Sequence, residues 1–139
     1  MALWTFCDYV ETTGRNPIRQ WLDTLPEADS AKIDYRLRHM SALPKWPEKW
    51  VSKYHGTDEI YEFRIKGNRV QYRPLGTYLG ARRYIILAGA IEKGDKIPRS
   101  DIETAERRLA NVRRDRAHVA FHEYDGVEDL EEDGDEGLS

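Results

Sequence analysis

The chain has 139 residues, 34% of them charged and 40% apolar, with a single cysteine and a formal net charge of −3. That length suits one domain with a real core. The lone Cys7 excludes a disulfide framework and a thiolate metal cluster, and it reads as a buried small apolar residue. The longest apolar run, residues 84–91, is too short to span a bilayer. The N-terminus lacks the basic segment and apolar stretch of a signal peptide. A cytoplasmic protein with no membrane partner is expected.

Residues 3–10 alternate loosely and predict a first strand. Asn16 followed by Pro17 reads as a helix start, an N-cap and then a residue with preset φ. Ile18, Trp21, Leu22 and Leu25 recur at helical spacing until Pro26. A second helix is expected to open at Asp29 or Ser30, with Ile33, Leu37 and Met40 on its buried face. Residues 50–55 suit a short strand, and residues 60–74 a β-hairpin. The GTYLG segment at 76–80 lacks the spacing and following helix of a phosphate-binding loop and reads as a flexible strand connection. Residues 82–91 are nearly continuous in apolar side chains and predict the best buried strand. After a polar loop at 93–98, Ser100 and Glu103 form a capping-box pattern before a third helix. Its Ile102, Ala105, Leu109 and Val112 share one face, and it is expected to fray between Arg116 and Phe121.

The net charge conceals an asymmetry. Residues 123–139 hold nine acidic side chains and no Lys or Arg, which leaves 22 basic and 16 acidic residues, a formal +6, over residues 1–122. The cationic body suggests a polyanionic partner. The acidic end lacks the apolar content to fold, so the expected organisation is a folded domain at 1–118 and a disordered tail at 119–139. The tail reads as a solubilising end, an intramolecular polyanion or a docking segment for a basic partner.

The hairpin is the most informative stretch. Gly67-Asn68 suits the centre of a type II′ turn with Gly67 at positive φ. That register pairs Lys66 with Arg69, Arg64 with Gln71 and Glu62 with Arg73. Alternation puts those six on one face and Tyr61, Phe63, Ile65, Val70, Tyr72 and Pro74 on the other. The element order implies an α+β fold. A mostly antiparallel, twisted sheet of four to five strands is expected. Two N-terminal helices and one C-terminal helix would cover its oily face and leave the cationic face largely open.

The run from Tyr61 through Arg64, then Gly67, Arg69, Tyr72 and Arg73, resembles the central hairpin of RelE-like toxins. Residues 85–93, then Lys96, Pro98, Ile102, Ala105 and Arg108, are similar to the phage-derived Gp49-like/HigB branch of the RelE/ParE superfamily. Trp4, Asn16, Pro17, Trp21 and Leu22 match its beginning, so the resemblance covers residues 3–116. It implies a RelE-like fold and the toxin of a type II toxin–antitoxin system. The implied activity is a metal-independent endoribonuclease that cuts mRNA, usually on the ribosome, and needs no cofactor. The implied partners are a cognate antitoxin, often of helix-turn-helix type, with mRNA and the ribosome. Operator DNA would be reached only through the antitoxin.

Such cleavage uses the 2′-OH as nucleophile. It needs a base, cations on the phosphoryl oxygens and an acid for the 5′ oxygen. Arg69 and Arg64 match the family's hairpin arginines. Arg69 is assigned to the scissile phosphate and Arg64 to orienting the backbone, because a guanidinium fork suits two phosphate oxygens. Arg73 is either part of this set or paired structurally with Glu62. Glu62 stands where well-studied RelE members carry a lysine; it either accepts the 2′-OH proton or holds Arg73, and the structural role is preferred. Lys93 matches a family position near the reacting phosphate. For the proton-transfer residue near the C-terminus the candidates are His118, His122 and Tyr124, with His118 favoured and Tyr78 a looser alternative. Lys66, Gln71, Lys96, Arg82 and Arg83 are expected to contact RNA. No metal site is expected: His118 and His122 stand at i, i+4, but at the fraying end. A catalytically silent RNA- or protein-binding module of the same fold is the alternative.

Overall fold

A computed structural model describes residues 2–57 and 59–124. The elements are β1 (Thr5–Tyr9), α1 (Pro17–Thr24), α2 (Glu27–Ser41), β2 (Val51–Lys53), β3 (Tyr61–Phe63), β4 (Ile65–Lys66), β5 (Gln71–Tyr72), β6 (Leu75–Gly80), β7 (Arg83–Ala88), α3 (Arg99–Arg114) and β8 (Val119–Phe121). A 3-10 turn at Arg116–His118 joins α3 to β8. Among the described residues, six strands form one sheet in the order β2-β3-β6-β7-β1-β8, and β4 pairs with β5. Only β1 and β7 run parallel; the other neighbours are antiparallel.

The α+β class is as expected, and the strand count is corrected from four or five to six in a mixed sheet. The two added strands have separate causes. GTYLG is not a flexible connection but lies within β6, where Leu75, Gly76 and Thr77 are buried. A Cβ on Gly76 would sit 2.1 Å from the Ile85 carbonyl oxygen, so this glycine serves close backbone approach. β8 forms where helix fraying was expected, because the exposed edge of β1 needs backbone partners. The folded unit therefore continues past residue 118 to at least Tyr124, and residues 125–139 lie outside the described residues.

The helices occupy both faces, not one. Tyr9 points to α3, where its hydroxyl accepts from Asn111 Nδ2 at 3.0 Å and its ring lies under Arg108. Asp8, one residue earlier and so on the opposite face, accepts from Asn16 at the start of α1. The face expected to stay open is covered because β7, buried from Tyr84 to Ala88, has apolar side chains on both sides, as a strand in a parallel pair commonly does.

Asn16 caps α1 as expected, its Oδ1 accepting from the Arg19 N–H at 2.9 Å. We expect Asn16→Ala to lower the unfolding free energy by about 1–2 kcal/mol in urea denaturation, because the cap and the bond to Asp8 are lost together. The other two starts are corrected. α2 opens after Pro26 and α3 after Pro98, both with φ near −55 and no side-chain cap. Ser100 thus lies inside α3 and makes no capping box. Ile102, Ala105, Leu109 and Val112 form the buried face of α3 as the spacing implies.

The hairpin keeps its two faces but not its register. Ile65 pairs with Tyr72 and Lys66 with Gln71. The turn is centred on Asn68-Arg69, and Arg69, not Gly67, takes positive φ (62°). A turn displaced by one residue moves the pairing by two, so every side chain keeps its face. Gly67 is required for space: a Cβ there would lie 2.4 Å from the Tyr72 ring and 2.7 Å from Asp29 Oδ2.

Candidate nucleic-acid interface

The hairpin is sutured onto the segment leaving β7. Tyr72 bridges Ile91, and the Glu92 N–H donates to the Gln71 carbonyl at 2.9 Å. The following loop thereby comes to lie beside the hairpin. It is a two-residue turn: Gly94 and Asp95 both take positive φ (55° and 61°), and Lys93 and Lys96 exchange backbone bonds of 2.8 and 3.0 Å. This backbone pattern puts two exposed lysines opposite each other.

Asp29 near the start of α2 fastens the hairpin. Its Oδ1 accepts from the Asn68 N–H at 3.2 Å and its Oδ2 from the Tyr72 hydroxyl at 2.6 Å. The Tyr72 bond holds the Asp29 carboxyl below its usual range. Burial, and then Asp29, push the Tyr72 hydroxyl up to about 12. Tyr72 is a core side chain, as the alternation implies. Beyond this anchor, Arg69 stands exposed at the tip.

Behind the exposed cations runs a row of alternating charge. Arg64 meets Glu62 at 3.1 Å, Glu62 lies 3.8 Å from Arg73, and Arg73 pairs closely with Glu92. The Arg73 side chain is only 12% exposed, against 38% for Arg64. Arg73 is thus a brace between two carboxylates. Glu62 and Arg73 meet as the sequence suggested, but the tighter partner of Arg73 is Glu92, which arrives from outside the hairpin on the segment leaving β7. Lys66, Arg69, Lys93 and Lys96 have no ion pair among the described residues.

Three expected participants lie elsewhere. Arg82 and Arg83 sit at the β6–β7 turn, where Gly80, Ala81 and Arg82 all take positive φ. The length of β6 puts them roughly 17 Å from the end that bears Arg73. His118 precedes β8, four ladder steps or roughly 19 Å across the sheet from β3. Its ring stacks on Tyr9, and its Nδ1 lies 2.8 Å from the Val10 carbonyl oxygen. Tyr78 belongs to an aromatic cluster with Trp4, Trp46 and Tyr61. Among the described residues no group of acidic, His or Cys side chains could hold a metal ion, and no helix is long and apolar enough to cross a membrane.

Comparison with protein families matches residues 20–110, well over half of the chain, to the family described as Phage derived protein Gp49-like (DUF891). The chain belongs to this Gp49-like family. It is a RelE/HigB-like toxin family, which implies an antitoxin partner. Comparisons with curated proteins and with solved structures found no match. The matched span runs from α1 into α3 and contains the whole cationic edge.

Reaching from Asp34 within the matched span to Asp8 and His122 beyond its two ends, a buried charge cluster was not disclosed by the sequence of this Gp49-like chain. His122 Nδ1 lies 2.6 Å from Asp8 Oδ1, and its Nε2 lies 2.7 Å from Asp34 Oδ1. The imidazole is fully buried, and Arg19 approaches Asp34 at 3.7 Å. Desolvation opposes the imidazolium, but the bonds to Asp34 and Asp8 outweigh it and raise the pKa to about 9. His122 is thus a structural cation that fastens the C-terminal strand to β1 and α2. Tyr124 packs edge-on against it. An Asp within the β-prone run 3–10 and another beside Ile33 were the only sequence hints.

Proposed function

We propose that this Gp49-like chain is a metal-independent endoribonuclease toxin that cuts mRNA, in association with the ribosome, and is held inactive by a helix-turn-helix antitoxin. The carrying observation is the set of unpaired, exposed cations Lys66, Arg69, Lys93 and Lys96 on one edge, in front of the braced Arg73. In this reading Arg69 binds the scissile phosphate and Arg64 orients the neighbouring one. Lys66, Gln71 and Lys96 hold the flanking backbone. The 2′ oxygen attacks phosphorus and loses its proton to a base, and the P–O5′ bond breaks. Lys93 is assigned to protonating the departing oxygen. The products are a 2′,3′-cyclic phosphate and a 5′-OH end.

The test is incubation of the purified protein with mRNA, with and without translating ribosomes, followed by mapping of the ends. Cleavage in the ribosome-free reaction is expected to persist in EDTA, and cleavage in either reaction is expected to vanish at a site whose nucleotide lacks the 2′-OH. Cleavage at a nucleotide without the 2′-OH, or loss of ribosome-free cleavage in EDTA, would refute the mechanism. A silent RNA-binding module is favoured by one observation: His118 stands at the far edge, which leaves Lys93 as the proton-transfer candidate at the site. RNA binding without any cleavage, ribosomes included, would select that reading.

A further inference from the structure

Helix α2 holds the hairpin at two places. Asp29 binds its tip through Asn68 and Tyr72. Arg36 follows about two turns later, on the same side of the helix. Its Nη1 donates to the Arg64 carbonyl at 3.2 Å, and its guanidinium carbon lies 4.6 Å from the centre of the Trp50 ring. His39, about one turn further on, meets the same ring edge-on. Arg64 closes the group. Its N–H donates to the Trp50 carbonyl at 2.8 Å, and its guanidinium donates to the Glu48 carbonyl at 3.4 Å. The Arg64 side chain therefore lies over the short linker that carries Trp50, and its backbone joins Trp50 to Arg36.

Arg15, Arg64, Arg73 and Arg113 each face a carboxylate. Arg36 faces none among the described residues, although burial lowers its pKa. A guanidinium drawn out of water without a counter-charge is costly, and the indole face offsets only part of that cost. Trp50 differs from the other tryptophans in a matching way. Trp4 and Trp46 pack on each other and on Tyr78, and Trp21 packs on Tyr72. The Trp50 ring instead lies beneath a cation, and both members of that pair stay partly exposed. Indole and guanidinium planes both stack nucleobases. We infer that the Arg36–Trp50 pair is a nucleobase subsite, which stacks the base of the nucleotide whose phosphate Arg64 holds. The inference rests on the ribonuclease reading of the hairpin. It adds a group that engages a base to the groups that hold phosphates.

The experiment uses the full chain and a short unstructured 2′-O-methyl oligoribonucleotide, which cannot be cut, at low salt where phosphate contacts are strongest. Fluorescence anisotropy follows binding of the intact oligomer and of a set in which each base in turn is removed to leave an abasic nucleotide. One abasic position should weaken wild-type binding about tenfold, the scale of one stacked base. Trp50→Leu keeps an apolar side chain but has no plane. It should weaken binding of the intact oligomer by the same factor and level the scan. Equal wild-type affinity for every abasic oligomer overturns the inference and leaves the ribonuclease reading intact. A dip that persists unchanged in Trp50→Leu does the same, because the base is then stacked elsewhere. If Trp50→Leu fails to fold, Arg36→Lys, which keeps the charge and loses the plane, decides by the same levelling of the scan. If the wild type binds no oligomer, the RNA-facing reading of the hairpin fails and the subsite falls with it.

Discussion

His122→Ala is expected to lower the unfolding free energy by about 3–5 kcal/mol, the cost of leaving buried carboxylates without their cation. Both ring nitrogens face carboxylate oxygens within 2.7 Å, so the substitution leaves Asp8 and Asp34 without their shared counter-charge. Asn16 and Arg19 supply only partial compensation. Against a typical total of about 5–15 kcal/mol the loss is large. The pH dependence identifies the cause. The folded-state pKa of about 9 lies above the ordinary 6.5, so the stabilisation is complete below about pH 6.5 and is lost as pH rises toward 9. A shift of that size corresponds to at most about 3 kcal/mol across that window. Urea denaturation at several pH values should show the wild-type decline and a flatter profile for the variant. A variant as stable as wild type at pH 6 would refute the charged cluster.

The second large effect separates two arginines on the same hairpin. Arg69→Gly should reduce RNA cleavage about 100-fold, the scale of removing one preorganised donor from a developing oxyanion. Its stability should stay level or rise by about 0.5–1 kcal/mol, because glycine adopts φ of 62° without the steric cost that arginine bears. Arg73→Ala should do the reverse. It leaves Glu62 and Glu92 without the brace, both about 15% exposed or less, and should lower stability by about 2 kcal/mol. Cleavage per folded molecule should fall far less than in Arg69→Gly. Urea denaturation and single-turnover cleavage on the same preparations measure both quantities. If Arg73→Ala proves stable but inactive, Arg73 belongs to the chemistry and the brace is secondary.

Arg69 takes positive φ on a solvent-exposed tip, where glycine or asparagine would fit better. The β6–β7 turn, away from this edge, likewise holds Ala81 and Arg82 at positive φ, so its place on this edge, its exposure and the lack of an ion pair among the described residues distinguish Arg69, and its backbone conformation does not.

Much of the fold was legible because it follows from local periodicity. The apolar spacing of α1 and α3, the Asn16 cap, the buried β7 and the two faces of the hairpin each depend on residues within one or two turns of one another. Alternation survived the wrong hairpin register, since a two-residue shift leaves parity unchanged. Errors arose where a distant partner decided the outcome. β8 exists because β1 offers an edge, and Gly76 is needed because Tyr84 and Ile85 press on it. The helices start at Pro26 and Pro98 because each proline sets the last extended residue.

The sequence by itself determined the charge contrast between the body and residues 123–139, the identity of the core residues and the candidacy of the hairpin cations. Tertiary structure decided which cations stay unpaired. Glu62 of β3 and Glu92 of the segment leaving β7 meet to neutralise Arg73, while Arg82, Arg83 and His118 are carried to other ends of the sheet. It also turned His122 from a candidate at a frayed end into a buried imidazolium. The physical reason is common to both cases. Whether a charge is available or consumed depends on which opposite charge lies within about 4 Å, and residues 8, 34 and 122 come within that distance only when the chain folds.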